Sequence, residues 1–535
     1  MASDGAPWWR DAVLYQIYPR SFGDANGDGV GDLQGTIQHL DHLEWLGIDG
    51  LWITPVMPSP NKDWGYDVAE YTGVHEDLGT LDDVDELVSE AAKRDISIIF
   101  DLVPNHTSDQ HEWFIDARSA RDARYRDFYV WADPKEDGSP PNNWISVFGG
   151  ESAWELDEKT GQYYLHNFLK HQPDLDWWND EVRDCFDEIL RFWFDRGIAG
   201  FRIDVAHALI KDRELRDNLP SDDDDHERVR SIGQKAEYNM NRPEVHDIFR
   251  RWRKLCDGYD PKRILVGETF VMGLQQMAAY YGDGDDELNL AFNFPFALSD
   301  LDASELSRIV ETTDDLIPPQ GWPVWMASNH DVGRFSTRWC DDDTNKIKCV
   351  LMMLMTMRGT PFLYYGDEIG MPETKLPREQ LKDPVGLRDI PGRSGRDPGR
   401  TPMHWNGDAG GGFSTGDSPP WLPVGDARSC NVADQRDDPS SILCFCRDLI
   451  AFRRSSQELR RAPYEAWPDA GVAWAWRRGD RYVVALNMSD AAASIADVSG
   501  TVALSTLAER AGQRVDGRAE LAPWEGIVLD LEQGG

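Results

Sequence analysis

The sequence predicts an α/β protein built on a (β/α)8 TIM barrel, with a small domain inserted after strand three and a C-terminal antiparallel β-sandwich domain. Three observations predict this fold. Eight short, almost wholly apolar strands alternate with helices along the first 460 residues. The alternation is interrupted once, by a long polar and aromatic stretch. Near residue 463 the chain changes to short strands that are separated by turn signals.

The first three strands indicate a parallel arrangement. A β-rich run ends at Pro19, and two continuous apolar runs follow at intervals that leave room for helices. Such runs are typical of parallel strands that are buried on both faces. The stretches between them carry apolar residues at helical spacing, and Gly47 ends the first of these helices. The predicted strands are 13–18, 50–56 and 96–103, and the predicted helices are 37–46 and 82–94.

Residues 105–172 interrupt the pattern. They are polar, aromatic and rich in turn residues, and they are too many for an ordinary loop. We therefore expect an inserted domain there, with the barrel formed by residues 1–104 and 173–460 and a C-terminal β-domain formed by residues 461–535. A predicted helix over 180–196 leads the chain back into the barrel.

The alternation then resumes and completes the eight strands. A doubly wound sheet is the alternative arrangement, but no Gly-rich phosphate loop follows the first strand. A long loop, 372–438, is rich in Gly, Pro and charged residues and precedes a closing helix over 443–454. The remaining predicted barrel strands are 200–207, 263–268, 288–294, 323–329 and 360–365, and the C-terminal domain has predicted strands at 471–476 and 481–486.

The composition excludes several classes of partner. The 535 residues include 95 acidic and 55 basic side chains, which gives a formal net charge of −40. This charge argues against nucleic acid or an anionic membrane as a partner and favours a neutral small substrate. The seven cysteines show no zinc-site spacing, so we expect reduced thiols in a cytoplasmic protein. We see no secretion signal and no apolar run long enough to span a bilayer.

One predicted strand carries two opposite charges. Arg202 and Asp204 lie two residues apart in an otherwise apolar run, so their side chains point the same way. Charges inside an apolar strand are costly unless they are paired or take part in chemistry. A structural ion pair is one interpretation. The other is a nucleophilic carboxylate that the neighbouring Arg keeps ionised.

Further polar side chains follow the predicted barrel strands at their carboxyl ends, where barrel active sites lie. Two carboxylates that flank one bond are what glycoside hydrolysis requires. Asp204 suits the carboxylate that attacks the sugar. Glu268 follows an apolar strand whose burial raises its pKa, so it suits the acid that donates a proton. Asp331 is a third acid, suited to holding sugar hydroxyls, and the neighbouring histidines are His106 and His330.

Residues 24–32 form a Gly-rich loop with oxygen donors at alternate positions. Such donors, together with a main-chain carbonyl, suit a hard cation and above all Ca²⁺. The loop is not an EF-hand, because Gly35 stands where a bidentate Glu is needed. The alternative interpretation is a polar Gly-rich turn without an ion. The predicted ligands are Asp24, Asn26, Asp28, Val30 and Asp32.

Four motifs at these strand ends resemble the signature regions of glycoside hydrolase family 13, the α-amylase family. They are DLVPNH at 101–106, GFRIDVAH at 200–207, GET at 267–269 and SNHD at 328–331. The resemblance covers essentially the whole chain. It implies a retaining mechanism with Asp204 as nucleophile, Glu268 as general acid/base and Asp331 as transition-state stabiliser. The residues that it implies around the −1 sugar are Arg202, His106 and His330.

Within the family, the chain is similar to the oligo-1,6-glucosidase and α-glucosidase branch. DWGYD at 63–67 resembles that branch's DNGYD with Trp for Asn, HQPDL at 171–175 resembles its KQPDL, and RTPMHW at 400–405 resembles its RTPMQW. These likenesses imply a closed pocket for one terminal glucose. They place Asp63, Tyr66 and Gln172 around the sugar and Arg400 beside Asp63 on the far wall. The 24–32 loop resembles a structural Ca²⁺ or Mg²⁺ loop of this branch, and no organic cofactor is implied.

Val205 follows the implied nucleophile and bears on linkage. In this branch Val goes with α-1,6 links and Thr with α-1,4 links, so we expect an exo-acting α-glucosidase with a slight preference for α-1,6 links or with mixed use. An α-glucosyltransferase and sucrose- or trehalose-acting relatives share the same site and stay as alternatives. No RLDRY-type segment of sucrose isomerases is evident. A non-catalytic binding relative predicts a lost acid, yet all three acids are present. We expect a small oligosaccharide partner and a monomer or homodimer.

Overall fold

The structure, a computed structural model, describes residues 7–148, 150–388, 395–468 and 470–531. Within them the strands form an eight-stranded, a six-stranded, a three-stranded and a two-stranded sheet. The strands are β1 (Leu14–Ile17), β2 (Gly50–Ile53), β3 (Ser97–Leu102), β4 (Trp131–Ala132), β5 (Trp154–Asp157), β6 (Gln162–Leu165), β7 (Gly200–Ile203), β8 (Ile264–Gly267), β9 (Leu290–Ala291), β10 (Val324–Met326), β11 (Thr360–Tyr364), β12 (Tyr464–Ala466), β13 (Trp474–Arg478), β14 (Tyr482–Leu486), β15 (Ala493–Ala496), β16 (Gly500–Ser505), β17 (Arg514–Val515), β18 (Arg518–Leu521) and β19 (Gly526–Leu531).

The eight-stranded sheet is a near-closed barrel. Its strands run parallel in the order β10-β11-β1-β2-β3-β7-β8-β9. Each of the eight segments predicted as a barrel strand contains one of them, which confirms the predicted fold class. The strands are buried on both faces because side chains fill the barrel and helices cover it outside, so they read as continuous apolar runs.

Helices alternate with the barrel strands, and several of their ends show the expected capping. Thr80 and Asp83 form a reciprocal capping box at the start of α5, and Asn179 caps α7. The helices are α1 (Trp8–Asp11), α2 (Pro19–Phe22), α3 (Leu33–Gln38), α4 (Leu40–Leu46), α5 (Leu81–Ala92), α6 (Glu112–Ala117), α7 (Asp180–Asp195), α8 (Glu227–Ile232), α9 (Val245–Cys256), α10 (Leu274–Ala279), α11 (Phe294–Ala297), α12 (Ala303–Leu316), α13 (Phe335–Arg338), α14 (Thr344–Thr356), α15 (Pro384–Leu387), α16 (Val432–Arg436), α17 (Ile442–Ser455) and α18 (Gln457–Arg461).

The first predicted helix, 37–46, differs from the structure. Two helices, α3 and α4, meet at His39, whose backbone leaves the helical region with φ −104° and ψ 6°. The His39 ring stacks on Trp405, with the ring centroids 3.7 Å apart and the planes 5° from parallel. This contact joins segments far apart in the sequence, so helical periodicity alone does not predict the break.

The inserted segment carries the antiparallel sheet β4-β6-β5. Its two ends pair with each other, because His106 forms a β-bridge with Asp174. The buried ammonium of Lys211 lies 2.7 Å from Asn105 Oδ1 and 2.8 Å from Asp174 Oδ2, so it ties both ends to the loop after β7. This arrangement positions His106 at the barrel mouth. The residue boundaries given for the inserted domain stay a prediction.

The C-terminal part forms the antiparallel sheet β12-β13-β14-β19-β16-β17 and the hairpin-like pair β15 and β18. One buried arginine joins it to the barrel. Arg478 of β13 donates to the Thr356 carbonyl at the end of α14, next to Met355 and Met357, whose carbonyls accept from Arg453 of the barrel helix α17. All seven cysteines are free, as predicted. No helix in the described residues has both the length and the apolar character that a membrane span requires.

Candidate active site

Four side chains meet at the carboxyl ends of β3, β7 and β8, and we call them the Arg202 cluster. Asp101 and Arg202 are register partners on neighbouring strands, while Asp204 follows β7 and Glu268 follows β8. Arg202 Nη1 lies 2.8 and 3.0 Å from the two Asp101 carboxylate oxygens and 2.7 Å from Asp204 Oδ1. Arg202 Nη2 lies 2.8 Å from Glu268 Oε2. One guanidinium therefore contacts three carboxyl groups.

Burial dominates the electrostatics of the Arg202 cluster. It raises the pKa of Asp101 to about 7 and the pKa of Asp204 well above its ordinary value, although Arg202 opposes both shifts. Burial likewise raises the pKa of Glu268 against the same opposing guanidinium. The sequence led us to expect that Arg202 keeps Asp204 ionised. Arg202 does act to lower the pKa of Asp204, but burial opposes it and the guanidinium is shared among three carboxyl groups, so the ionised state of Asp204 stays a prediction.

The backbone next to Asp204 also contacts Glu268. The Val205 N–H donates to Glu268 Oε2 at 2.8 Å. Val205 has φ 44° and ψ 44°, the left-handed region that a β-branched side chain rarely adopts. Its side chain belongs to a small buried apolar group with Ala208 and Met240. The strained backbone thus aims a donor at one candidate catalytic acid and places an apolar surface beside the other.

Asp331 has the opposite environment. Its carboxylate lies 2.9 Å from Arg400 Nη2 and 3.1 Å from Arg396 Nη1. Burial acts to raise the pKa of Asp331, but His330, Arg396 and Arg400 together lower it below the ordinary value. The two guanidiniums carry this effect, because burial lowers the pKa of His330 and leaves its ring neutral in the neutral range. Asp331 is therefore held ionised.

Arg396 also closes the pocket at Asp63. Its Nη2 lies 2.6 Å from Asp63 Oδ1, and Gln172 Nε2 donates to Asp63 Oδ2 at 3.1 Å. Asp383 holds Arg396 from behind, 3.0 Å from its Nε and 2.7 Å from its Nη2. Arg400 was predicted on the wall beside Asp63; the ion pair to Asp63 is made by Arg396, and Arg400 shares Asp331 with it. We call Asp63, Asp331, Asp383, Arg396 and Arg400 the Arg396 cluster.

Tyr66 and His330 connect the two clusters. The Tyr66 hydroxyl lies 2.9 Å from Asp101 Oδ2 and 2.6 Å from His330 Nε2, and the two rings stack 6° from parallel. Gln16 donates its amide N–H to His330 Nδ1 at 2.7 Å, which places the ring proton on Nε2. His106 Nε2 lies 3.0 Å from the Tyr66 carbonyl oxygen and beside Gln172. The structure therefore brings the predicted catalytic and substrate-binding residues into one buried constellation.

Sequence reasoning missed four of its members as site residues. Asp101 stands inside the quoted DLVPNH motif, and its charge in an apolar strand is the signal that was available. Gln16, a polar residue in β1, carries the same kind of signal. Arg396 and Asp383 lie in the long 372–438 loop, where spacing indicates no partner. Only the folded chain shows which of its charged residues reach the pocket.

The predicted cation loop folds around its own oxygens. Asp24 accepts from the N–H groups of Gly27 and Gly29, Asn26 accepts from Asp28, and Asp28 accepts from Val30, at 2.7 to 2.9 Å. The donors are hard oxygens, but within the described ranges no group of three or more Asp, Glu, His or Cys is arranged to hold a metal ion. Ca²⁺ or Mg²⁺ binding by this loop stays a prediction.

Comparison with known proteins identifies relatives over most of the chain. The family model of the α-amylase catalytic domain matches residues 16–462. The chain is 42% identical over 504 residues to a probable alpha-glucosidase of Rhizobium meliloti (strain 1021), covering 91% of this chain and 90% of that one. It is 39% identical over 529 residues to an oligo-1,6-glucosidase of Heyndrickxia coagulans, covering 90% of this chain and 92% of that one.

A solved structure extends the likeness to the whole fold. The crystal structure of an alpha-glucosyl transfer enzyme matches with a TM-score of 0.92 at 37% sequence identity, covering 98% of this chain and 100% of that one. The family match, these relatives and the carboxyl groups at the ends of β3, β7 and β8 agree with the motif-based prediction. This chain belongs to glycoside hydrolase family 13, the α-amylase family.

Proposed function

We propose that the protein is a retaining, exo-acting α-glucosidase that releases glucose from the non-reducing end of short α-glucosides. The observation that carries the proposal is the pair of buried carboxyl groups, Asp204 and Glu268, that share Arg202 at the barrel mouth. Two carboxyl groups on one site are the requirement of glycoside hydrolysis. Identity of 42% to a probable alpha-glucosidase supports the substrate class.

The positions of the two acids in the family motifs suggest the division of labour. Asp204 attacks the anomeric carbon while Glu268 donates its proton to the leaving oxygen, and Glu268 then activates the water that releases glucose. Burial raises the pKa of Glu268, and the reactive arrangement has a proton on Glu268. Asp331 stays ionised between Arg396 and Arg400, so it supplies a fixed negative charge to the oxocarbenium-like transition state.

The Arg396 cluster supports exo-action. Asp63 and Arg396 form an ion pair that closes one end of the pocket, and Gln172 adds a donor there. Arg400 Nη1 is buried without a hydrogen-bond partner among the described residues, so a sugar hydroxyl is suited to satisfy it. A closed end with fixed donors and acceptors accommodates one terminal glucose. The remaining sugars of the oligosaccharide extend out of the open side of the pocket.

Transfer of glucose to an alcohol is a second candidate. Val205, Ala208 and Met240 form an apolar group beside the nucleophile, with Phe168 packed against it. An apolar surface beside the glucosyl-enzyme disfavours water and favours an acceptor with a carbon framework. The likeness to an alpha-glucosyl transfer enzyme points the same way.

Product analysis tests both candidates. Wild-type enzyme is incubated with maltose, isomaltose, sucrose and trehalose at equal concentration, and glucose and trisaccharides are quantified. Faster glucose release from isomaltose supports the α-1,6 preference inferred from Val205. Preference for maltose or sucrose removes that inference and leaves the mechanism standing. Trisaccharides that form faster than glucose assign the protein to transfer, and no reaction with any α-glucoside overturns the proposed function.

We propose the partner and the cellular location of the enzyme from its net charge and its free cysteines. The net charge of −40 and the seven free cysteines support a small neutral sugar as partner and a reducing, cytoplasmic location. Cell fractionation with an antibody to the protein tests the location. Recovery in an oxidising compartment contradicts it.

A further inference from the structure

Trp64, next to the pocket residue Asp63, has an unusual backbone conformation. Its φ is 52°, in the left-handed region, and the following Gly65 has φ 111°. Glycine adopts such angles freely, but for a bulky aromatic side chain the left-handed region is an outlier that costs free energy. A strained conformation persists only where its surroundings determine it, and it is therefore a reason to examine what Trp64 contacts.

The Trp64 side chain and backbone are both held. Tyr18 donates its hydroxyl to the Trp64 carbonyl at 3.0 Å. The indole N–H donates to the carbonyl of Lys382 at 2.9 Å, across 318 residues of sequence. The indole ring packs on Trp421 at a centroid distance of 5.1 Å, and the Arg20 guanidinium lies 5.7 Å from its centre. These contacts fix the direction of the indole N–H.

Lys382 precedes Asp383, whose carboxylate orients the guanidinium of Arg396. The backbone N–H groups of Lys382 and Asp383 both donate to Asp397 Oδ2, at 2.6 and 2.8 Å. The Asp383 carboxylate in turn accepts from Arg396 Nε and Nη2. The carbonyl that Trp64 holds is therefore one residue away from the carboxylate that orients Arg396.

Two neighbouring residues, Asp63 and Trp64, therefore contact Arg396 and Lys382. Asp63 holds Arg396 by its carboxylate, and Trp64, the next residue, holds Lys382 by its indole. Residues 63 and 64 thus hold the 372–438 loop at two points, Lys382 and Arg396. Loss of the Trp64 contact leaves Arg396 with Asp63, Asp331 and Asp383 as partners, but it removes the side-chain donor that holds the Lys382 carbonyl next to Asp383.

We propose that Trp64 is a positioning residue, which holds Lys382 and so keeps Arg396 in contact with Asp63 and Asp331 before substrate binds. This role rests on the proposed glucosidase function for its kinetic consequence, but the contact itself does not. A segment that is correctly placed only part of the time lowers apparent affinity by the competent fraction, and substrate binding restores it. The expected signature is a change in KM with little change in kcat.

Trp64→Phe tests the proposal, since it keeps a ring and removes the N–H donor. We expect KM for the best α-glucoside to rise about fivefold, the effect of one net hydrogen bond, with kcat within about twofold. Trp467→Phe is the matched control, because its indole also donates to a backbone carbonyl, that of Ala496 at 3.2 Å, in the C-terminal sheet. A folded Trp64→Phe enzyme with wild-type KM overturns the proposal, and so does an equal KM change in the control.

Trp64→Asn covers the case in which Trp64→Phe does not fold. Asn tolerates a positive φ, so this variant relieves the backbone strain while it removes the indole. We expect the same rise in KM without loss of thermal stability beyond that of Trp467→Phe. A lower melting temperature with an unchanged KM shows a merely structural role and contradicts the proposal.

Hydrogen–deuterium exchange separates this proposal from the proposed function. Backbone amides of 382–388 should exchange faster in Trp64→Phe than in wild type or Trp467→Phe, with no sugar present. If wild-type protein cleaves no α-glucoside, the function fails while faster exchange still supports the contact. If wild type is active and exchange at 382–388 is unchanged, the positioning role fails while the function stands.

Discussion

The Arg202 cluster and the Arg396 cluster face the same pocket but hold their charges differently. The first is built on strand ends and sets three carboxyl groups, those of Asp101, Asp204 and Glu268, around one guanidinium. The second is built on loops and sets two guanidiniums, those of Arg396 and Arg400, among its acids. Both are largely buried, so the number of guanidiniums that contact each carboxyl group affects its pKa.

The comparison shows how one pocket serves two electrostatic tasks. Where three acids share one guanidinium, burial raises the pKa of Asp101 and Glu268. Where guanidiniums surround the acid, the pKa of Asp331 falls and a fixed negative charge results. Glycoside hydrolysis needs a proton donor and a nucleophilic carboxylate, which are Glu268 and Asp204 of the Arg202 cluster, while Asp331 of the Arg396 cluster adds a fixed negative charge.

The largest expected effect comes from removing the proton donor of the Arg202 cluster. Glu268→Gln keeps the shape but cannot donate or accept that proton, so kcat on a natural disaccharide should fall roughly 10²- to 10⁴-fold. An aryl α-glucoside whose leaving group needs no proton should still give a burst of aryl alcohol, followed by slow turnover. Steady-state and stopped-flow assays measure both. Near-wild-type turnover removes Glu268 from its role.

A smaller loss of activity should follow from changing one cation of the Arg396 cluster, Arg396 itself. Arg396→Lys keeps the charge, but an ammonium cannot reach Asp63, Asp331 and Asp383 together as the planar guanidinium does. We expect kcat/KM to fall about 10- to 100-fold, as for loss of a charged hydrogen bond. Arg388→Lys is the control, because its pairing with Glu151 lies at 3.7 Å near the surface. Equal activity of the two variants contradicts the role of Arg396.

Stability should depend on pH in opposite directions in the two clusters. Burial raises the pKa of Asp101 to about 7, so its contribution is full below about pH 4 and is lost as pH rises to about 7. For Asp383, burial is outweighed by Arg396 and Arg400, which lower the pKa to about 2. Its contribution of roughly 2 kcal/mol is present above about pH 4 and is lost as pH falls towards 2.

Denaturant unfolding of wild type, Asp101→Asn and Asp383→Asn between about pH 3 and pH 8 measures these slopes. Asp101→Asn should flatten the decline in the free energy of unfolding on the neutral side. Asp383→Asn should flatten the decline on the acid side only. Identical pH dependence in all three proteins shows that the two clusters do not differ as described.

The smallest effect concerns the 24–32 loop, which lies outside both clusters. Its carboxylate oxygens keep lone pairs beyond those used by N–H groups, so Ca²⁺ binding is expected to stabilise the loop. Added Ca²⁺ should raise the melting temperature of wild type by about 2 °C and leave kcat within about twofold. Asp28→Ala should lose this response, and the exposed control Asp223→Ala should keep it. An unchanged response in Asp28→Ala removes the predicted ligand.

The fold could largely be predicted from the sequence, because barrel strands are short, apolar and regularly spaced. All eight predicted segments contain a barrel strand. The break at His39 could not be predicted, since its ring stacks on Trp405 from a distant segment, a contact that helical periodicity does not contain. The catalytic acids could be predicted because Asp204 and Glu268 directly follow strands and Asp331 lies in the loop after β10. Arg396 could not, because its partner Asp63 lies 333 residues away and Arg400 stands in the same loop.

The sequence by itself determined the barrel, the order of its strands and the acids at their ends, because periodicity and strand boundaries are local properties of the chain. The tertiary structure alone decided which guanidinium meets which carboxylate, and hence which acids hold protons. It also decided that Trp64 adopts a left-handed backbone against Lys382. The physical reason is that pKa values and strained conformations depend on burial and on neighbours from distant segments, which no local pattern contains.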